Sequence, residues 1–376
     1  MSDAKPISNR REFLTGGSLQ KEAAQIGERF ADELGQDSGQ ADLSTSETLR
    51  LSTTAMACEF AVILNLIPSA GETIEATQRM DLVSEVLDSV HALESQMSVY
   101  RDDSELSAMN RTAYENDVCV ESRLHDLLKV AERICAETNG GFDPTARPLV
   151  ALWRSCRQES RVPLQQEIDE ALSKTGIEKV QLGVDETTVR FQHPNVEFDL
   201  GGIGKGYALD RMGESLLTGG VSDWMIHGGH SSILAHGDHN GLGGWPVGIR
   251  NPLFPAERWA SVILRDEALS SSGSGVQFFR HGGKRYGHIL DPRRGWPVDD
   301  ILSVTVIAPT AAEADALSTA FFVVGLENAR EYCDNHPQVR AIVIPKPPHG
   351  RTLQPHVIGV DPDALIFLPE SLSQDS

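Results

Sequence analysis

Asp199-Leu200-Gly201-Gly202-Ile203-Gly204-Lys205-Gly206-Tyr207-Ala208-Leu209-Asp210 is the stretch on which the fold reading turns. A strand ends, glycines let the backbone approach a ligand, and a lysine opens a helix. Helix-end N–H groups, a positive side chain and absent Cβ atoms suit a phosphate. The segment is not a P-loop, because Gly-x-x-x-x-Gly-Lys-Ser/Thr is missing. Nor does its glycine spacing fit the dinucleotide-binding turn of a βαβ unit, so an NAD(P)-type oxidoreductase fits poorly. Taken alone, it is either a phosphate site or a tight structural turn.

The flanking elements do not alternate as βαβ either. Residues 59–67 (EFAVILNLI) read as a buried strand, and Asp81 to Met97 and Leu124 to Ala136 carry apolar residues at helical spacing. Residues 177–192 predict a hairpin turning near Val184 to Glu186. A helix follows over Lys205 to Leu217, then a strand over Ser303 to Ala308, a helix over Ala311 to Val324 and a strand over Val339 to Ile344. The order predicts an α+β fold: one large domain over residues 47–370, with mixed, mainly antiparallel sheets and flanking helices. Residues 1–46 read as an appendage. Ser18 to Leu34 could form one amphipathic helix, with Leu19, Ala23, Ile26, Phe30 and Leu34 on one face.

The formal net charge is -21, from 33 basic and 54 acidic residues. That surface repels phosphate backbones and anionic lipid, which argues against nucleic acid or bare membrane as partner. Five widely spaced cysteines without a CxxC pair predict reduced thiols. No apolar run reaches the length of a transmembrane segment. Asn9-Arg10-Arg11-Glu12-Phe13-Leu14 resembles a twin-arginine export signal, but polar residues follow it. A cytoplasmic location is therefore favoured over an exported, periplasmic one.

Three further segments carry chemistry. Asp315 and Thr319 lie four apart and share a helix face, so a carboxylate and a hydroxyl could offer hard oxygen donors to Mg²⁺. The same pair could instead serve the helix itself, through its dipole and a back-bonded hydroxyl. His288, before an Asp291-Pro292 turn, could take a proton from a hydroxyl nucleophile, or merely bond within the turn. The His227-Gly228-Gly229-His230 and His236-Gly237-Asp238-His239 pairs admit a zinc reading, against which a glycine turn near a ligand is preferred.

Together these segments resemble the ApbE family, the FAD:protein FMN transferases, over nearly all of residues 50 to 345. Met56-Ala57-Cys58 is similar to the family's Met-Gly-Thr segment. Met97-Ser98-Val99-Tyr100, with Ser104-Glu105-Leu106 and Asn110, resembles its Met-Ser-x-Tyr…Ser-Glu-Leu…Asn signature. Gly141-Phe142-Asp143-Pro144-Thr145, the Gly-Lys stretch, His288 to Pro297, and Asp315 with Thr319 follow in the family's order.

The resemblance implies a T-fold-like α+β architecture, FAD as substrate and Mg²⁺ as cofactor. It implies the metal on Asp315, Thr319 and the Gly202 carbonyl, and the pyrophosphate near Lys205. Met56, Tyr100, Asp143, Gly228, Gly229 and Asp291 would lie along the cofactor, and His288 would be the base, with Lys205 the second catalytic group. The implied reaction moves FMN to a Ser/Thr hydroxyl of an acceptor protein and releases AMP. The alternatives are a Mg²⁺-dependent FAD pyrophosphatase and a degenerate FAD-binding protein. Four departures bear on FAD or acceptor binding: His230 for an acidic residue, Gly275 where an aromatic is expected, Arg147 for glycine and Arg294 for threonine.

Overall fold

The computed structural model describes residues 48–367, apart from 69–71, 73, 185, 276–277, 351 and 363. The Asn9–Leu14 motif and the Ser18–Leu34 helix lie outside the described residues.

Seven helices are present among these residues: α1 (Ala76–Met97), α2 (Glu105–Thr112), α3 (Ser122–Glu137), α4 (Arg147–Gln158), α5 (Gln165–Ser173), α6 (Gly204–Thr218) and α7 (Ala311–Asn335). The two principal sheets use β1 (Thr48–Ala55), β2 (Cys58–Asn65), β3 (Trp224–Gly228), β4 (Ser232–His236), β5 (Trp245–Arg250), β6 (Arg258–Leu264), β7 (Glu267–Gly273), β8 (Ile301–Ala308), β9 (Arg340–Pro345), β10 (His356–Ile358) and β11 (Leu365–Phe367). The larger sheet has the order β1-β2-β3-β4-β7-β8-β9-β10, and β11-β6-β5 form the smaller. Their pairings are antiparallel throughout. The α+β expectation therefore holds, and a doubly wound parallel sheet is excluded.

β2 explains the layering. Six consecutive residues from Phe60 to Asn65 are buried, which requires cover on both faces. Phe60, Val62 and Leu64 enter the core shared with the helices. Ile63 faces the other way, with Met225, Ile233, Leu269 and Ile307, onto Trp245, Val247, Ile249 and Trp259 of the smaller sheet. A third cluster of Leu149, Trp153, Ile168, Ala171 and Leu290 ties α4 and α5 to the turn before Trp296.

Two expectations need correcting. The helix expected over 311–324 continues to Asn335, with a break at Gly325 (φ 82°) where its apolar pattern weakens. No strand ends at Asp199. Val196, Phe198 and Leu200 alternate as buried residues, yet this extended segment takes its bonds elsewhere. Asn110 donates to the Phe198 carbonyl (3.0 Å) and accepts its N–H (2.8 Å), while Asp199 N–H reaches the Pro144 carbonyl (2.7 Å). The hairpin expected at 177–192 is present as strands Val180–Leu182 and Thr188–Phe191. None of the helices among the described residues is long and apolar enough to cross a membrane.

Candidate active site at the crossing of two helices

α6 begins without a side-chain cap of its own, leaving first-turn amides in need of acceptors. α7 supplies one. Asp315 Oδ2 accepts the Gly206 N–H at 2.7 Å, and Lys205 Nζ stands 3.6 Å from the same oxygen. Asp315 Oδ1 accepts the hydroxyls of Ser232 and Ser270, each at 2.5 Å. These serines oppose each other on β4 and β7, so the carboxylate sits over the sheet and is held by α6, β4 and β7 together.

Thr319 lies one turn further along α7, its Oγ1 3.4 Å from Ser272 Oγ. A Cβ built on Gly202 would stand 3.7 Å from Thr319 Oγ1 and 3.1 Å from the Phe142 ring. Gly202, Lys205, Asp315 and Thr319 are thus drawn together from segments more than a hundred residues apart. All are oxygen or ammonium groups, and among the described residues no cluster of three His, Cys, Asp or Glu forms a metal cage. The zinc reading of the histidine pairs has no such cage to rest on. His227, His236 and His239 instead bond through Nδ1 to Gly229 O, Ser222 O and Asn65 Oδ1.

The β1–β2 and β3–β4 turns close one side. Met56 and Ala57 both have left-handed φ values, 49° and 59°, and Glu94 accepts the Met56 N–H at 2.8 Å. A Cβ on Gly229 would touch Cys58 at 3.4 Å. Burial pushes the Cys58 thiol up while Lys205 pulls it down, which puts this side chain in the field of the Lys205–Asp315 pair.

The remaining candidates form other groups. Asp143 bonds the Thr145 amide and hydroxyl through Oδ1, at 2.8 and 2.6 Å, and burial raises its carboxyl. With Lys179 and Arg293 it lines a cavity of about 470 Å³. Asp291 is buried and held by the Arg293 guanidinium at 2.8 and 2.9 Å. Tyr100 is exposed, with the guanidinium carbons of Arg147 and Arg154 5.1 and 4.7 Å from its ring centre. His288 is exposed in the bend after strand Lys284–Gly287.

Several residues of this framework escaped the sequence reading: Asp210, Ser232, Ser270 and Glu94. Ser232 beside Ile233 and Leu234, and Ser270 after Ala268 and Leu269, were a usable sign, because a buried hydroxyl needs a partner.

The architecture is that of the flavin-transferase fold. It is similar to the ApbE protein of Thermotoga maritima, with a TM-score of 0.71 and 27% identity over 82% of this chain and 96% of that one. A flavin transferase ApbE from Vibrio cholerae gives 0.69 and 26% over 83% and 97%. In sequence, the chain is 31% identical over 265 residues to the FAD:protein FMN transferase of Escherichia coli K12, covering 69% of this chain and 75% of that protein. Its identity to the FAD:protein FMN transferase of Treponema pallidum is 32% over 276 residues, 70% and 76% of the two. The ApbE family profile matches residues 57–343, and the chain belongs to that family.

Proposed function

We propose that the domain of residues 47–370 transfers the FMN half of FAD to a Ser or Thr hydroxyl of an acceptor protein, with Mg²⁺, releasing AMP. The observation that carries this is the 3.6 Å approach of Lys205 to Asp315 at the start of α6, with Thr319 and Gly202 alongside. The names of the curated relatives support the same reading.

Lys205, in the first turn of α6, holds the FAD diphosphate. Asp315, the Thr319 hydroxyl and the Gly202 carbonyl would hold Mg²⁺. This all-oxygen set suits a hard cation that keeps water and phosphate ligands. Asp315 Oδ1 already accepts two hydroxyls, so Oδ2, with one short hydrogen bond, has the remaining capacity. Bound there, the ion supplies charge neutralisation at the diphosphate. Met56, Tyr100, Asp143, Gly228, Gly229 and Asp291 line the nucleotide. His288 takes the proton of the accepting hydroxyl, whose oxygen bonds to the FMN-side phosphorus as the bond to AMP breaks.

The test incubates the chain with FAD, Mg²⁺ and a candidate acceptor, and reads AMP release and FMN addition by mass. Asp315→Ala and His288→Ala are expected to abolish both, and undiminished turnover in the two variants rejects the site. Free FMN with no labelled acceptor reassigns the chain as a pyrophosphatase. FAD bound but never cleaved marks a binding protein.

A further inference from the structure

Trp153 touches the chain on both sides of His288. On α4 it follows Leu149 by four residues and precedes Cys156 by three, and these three are the buried residues of the helix. Helical spacing therefore turns the indole inward. It meets the two-stranded hairpin that leads to His288. Its ring centre is 6.2 Å from that of Phe279 and 5.7 Å from that of Tyr286. Those two rings oppose each other across strands Phe278–His281 and Lys284–Gly287 and stack at 5.3 Å. Offset and edge contacts of this kind add to the gain from burial.

The chain after His288 is held by the same side chain. Leu290 pairs with Pro297 and Asp291 with Trp296. The turn between them brings the Gly295 carbonyl to the indole N–H of Trp153, a buried bond of 2.8 Å, and Trp296 stands edge-on to the indole at 5.4 Å. Glycine is required at 295 (φ 72°): a Cβ would lie 2.5 Å from Ile168 Cγ2 and 3.1 Å from Leu149 Cδ2. The hairpin before His288 has little else to fix it. Among the described residues its strands pair with each other and with no third strand, and an isolated two-stranded hairpin is marginally stable. Beyond the rings, His281 Nδ1 lies 2.9 Å from the Ser160 carbonyl, and Arg285 donates to the Ser274 carbonyl. His288 sits exposed at the bend, two residues past Tyr286 and directly before the buried Ile289 and Leu290. From Tyr286 that is about 7 Å of extended backbone.

We propose that Trp153 is a positioning residue for His288: by packing on the hairpin before the bend and bonding the turn after it, the indole fixes where the imidazole stands. This rests on the transferase reading above, in which His288 takes the proton of the accepting hydroxyl. A base must lie within hydrogen-bond reach of that proton, and an exposed side chain at a bend keeps such a place only if both arms of the bend are held. Trp153 acts on the reaction through His288.

The test uses the full chain and two variants that loosen opposite arms. Trp153→Phe keeps a ring against the hairpin and removes the donor to the Gly295 carbonyl; Tyr286→Leu removes the ring that Trp153 packs on before the bend. AMP release from FAD and Mg²⁺ is measured with a blocked peptide carrying one threonine, at matched folded protein. Each variant is expected to lower kcat about tenfold, with KM for FAD within about twofold of the wild type. A raised KM with kcat intact overturns the proposal, because it assigns Trp153 to the nucleotide side through Asp291. So does an unchanged kcat. The imidazole Cε1–H resonance of His288, assigned by its loss in His288→Ala, gives a readout that needs no turnover. It is expected to shift or broaden in both variants, and a resonance that stays in place in both overturns the positioning role. Absence of AMP release from the wild type, or a full rate in His288→Ala, defeats the transferase reading, while the resonance still judges whether Trp153 places the imidazole.

Discussion

Asp210 and Asp315 cap each other's helices. Asp210, on α6, accepts the Ala311 and Ala312 amides that open α7, at 2.7 and 2.9 Å. Asp315, on α7, accepts the Gly206 amide in the first turn of α6 at 2.7 Å. Each carboxylate sits at the positive end of the other helix. The exchange sets the crossing of the two helices and thereby where Lys205 meets Asp315.

Gly206 makes this crossing possible. A Cβ there would run into the Ala311 carbonyl and crowd the Ala312 nitrogen at 2.7 Å. Backbone cannot yield as a flexible side chain does. Gly206→Ala is expected to destabilise the fold by about 3 kcal/mol and to reduce AMP release even in the folded fraction. Urea denaturation with activity measured at matched folded protein checks this; wild-type stability would contradict the crossing.

Asp210 also makes stability depend on pH. Burial raises its carboxyl to about 6, although the Ala311 and Ala312 amides pull the other way. The unfolded value is about 3.9. With the folded value above the unfolded one, its contribution is complete below about pH 4 and lost as pH rises through 6. Asp210→Asn keeps one acceptor oxygen and removes the titration. Going from pH 4.5 to 7, the variant should therefore gain on the wild type by on the order of 2 kcal/mol. A difference between the two that ignores pH would show that Asp210 does not titrate in this range.

What the sequence disclosed was local. The Gly-Lys turn and the Asp315–Thr319 spacing are readable because each lies within one helical turn, and the family's motif order joined them. Asp210 was quoted in the motif without a role, since its partners lie 101 and 102 residues away. The Val196–Leu200 alternation reads as a strand because burial sets the pattern, whereas Asn110 supplies the bonds. The turn at Met56-Ala57 stayed hidden because neither residue announces positive φ.

That turn yields a stability prediction. A two-residue hairpin loop with φ above zero at both positions is the Asn-Gly type of turn, yet here it carries Met56 (φ 49°) and Ala57 (φ 59°). A left-handed alanine costs about 1–2 kcal/mol, and glycine returns about 0.5–1 of that as unfolded-state entropy. Ala57→Gly is expected to stabilise by about 0.5–1 kcal/mol, raising Tm by roughly 1–2 °C. Differential scanning calorimetry decides; a lower Tm would mean that the surrounding turn already relieves the strain.

Arg147 tests the proposed place of Tyr100 beside the flavin. Its guanidinium carbon lies 5.1 Å from the centre of the Tyr100 ring, while its long contacts to Glu197 (3.6 Å) and Asp199 (3.8 Å) are weak. If the isoalloxazine ring stacks on Tyr100, it must first displace a cation–π contact worth about 0.5–1 kcal/mol at an exposed site. Arg147→Gly removes that contact, so KM for FAD should fall about two- to fivefold with kcat little changed. Arg154, 4.7 Å from the same ring centre, sets the control: Arg147→Gly with Arg154→Ala should lower KM further if both guanidiniums compete with the flavin. A higher KM in the single variant would instead mean that Arg147 holds FAD, and that its positive charge serves the substrate rather than Tyr100.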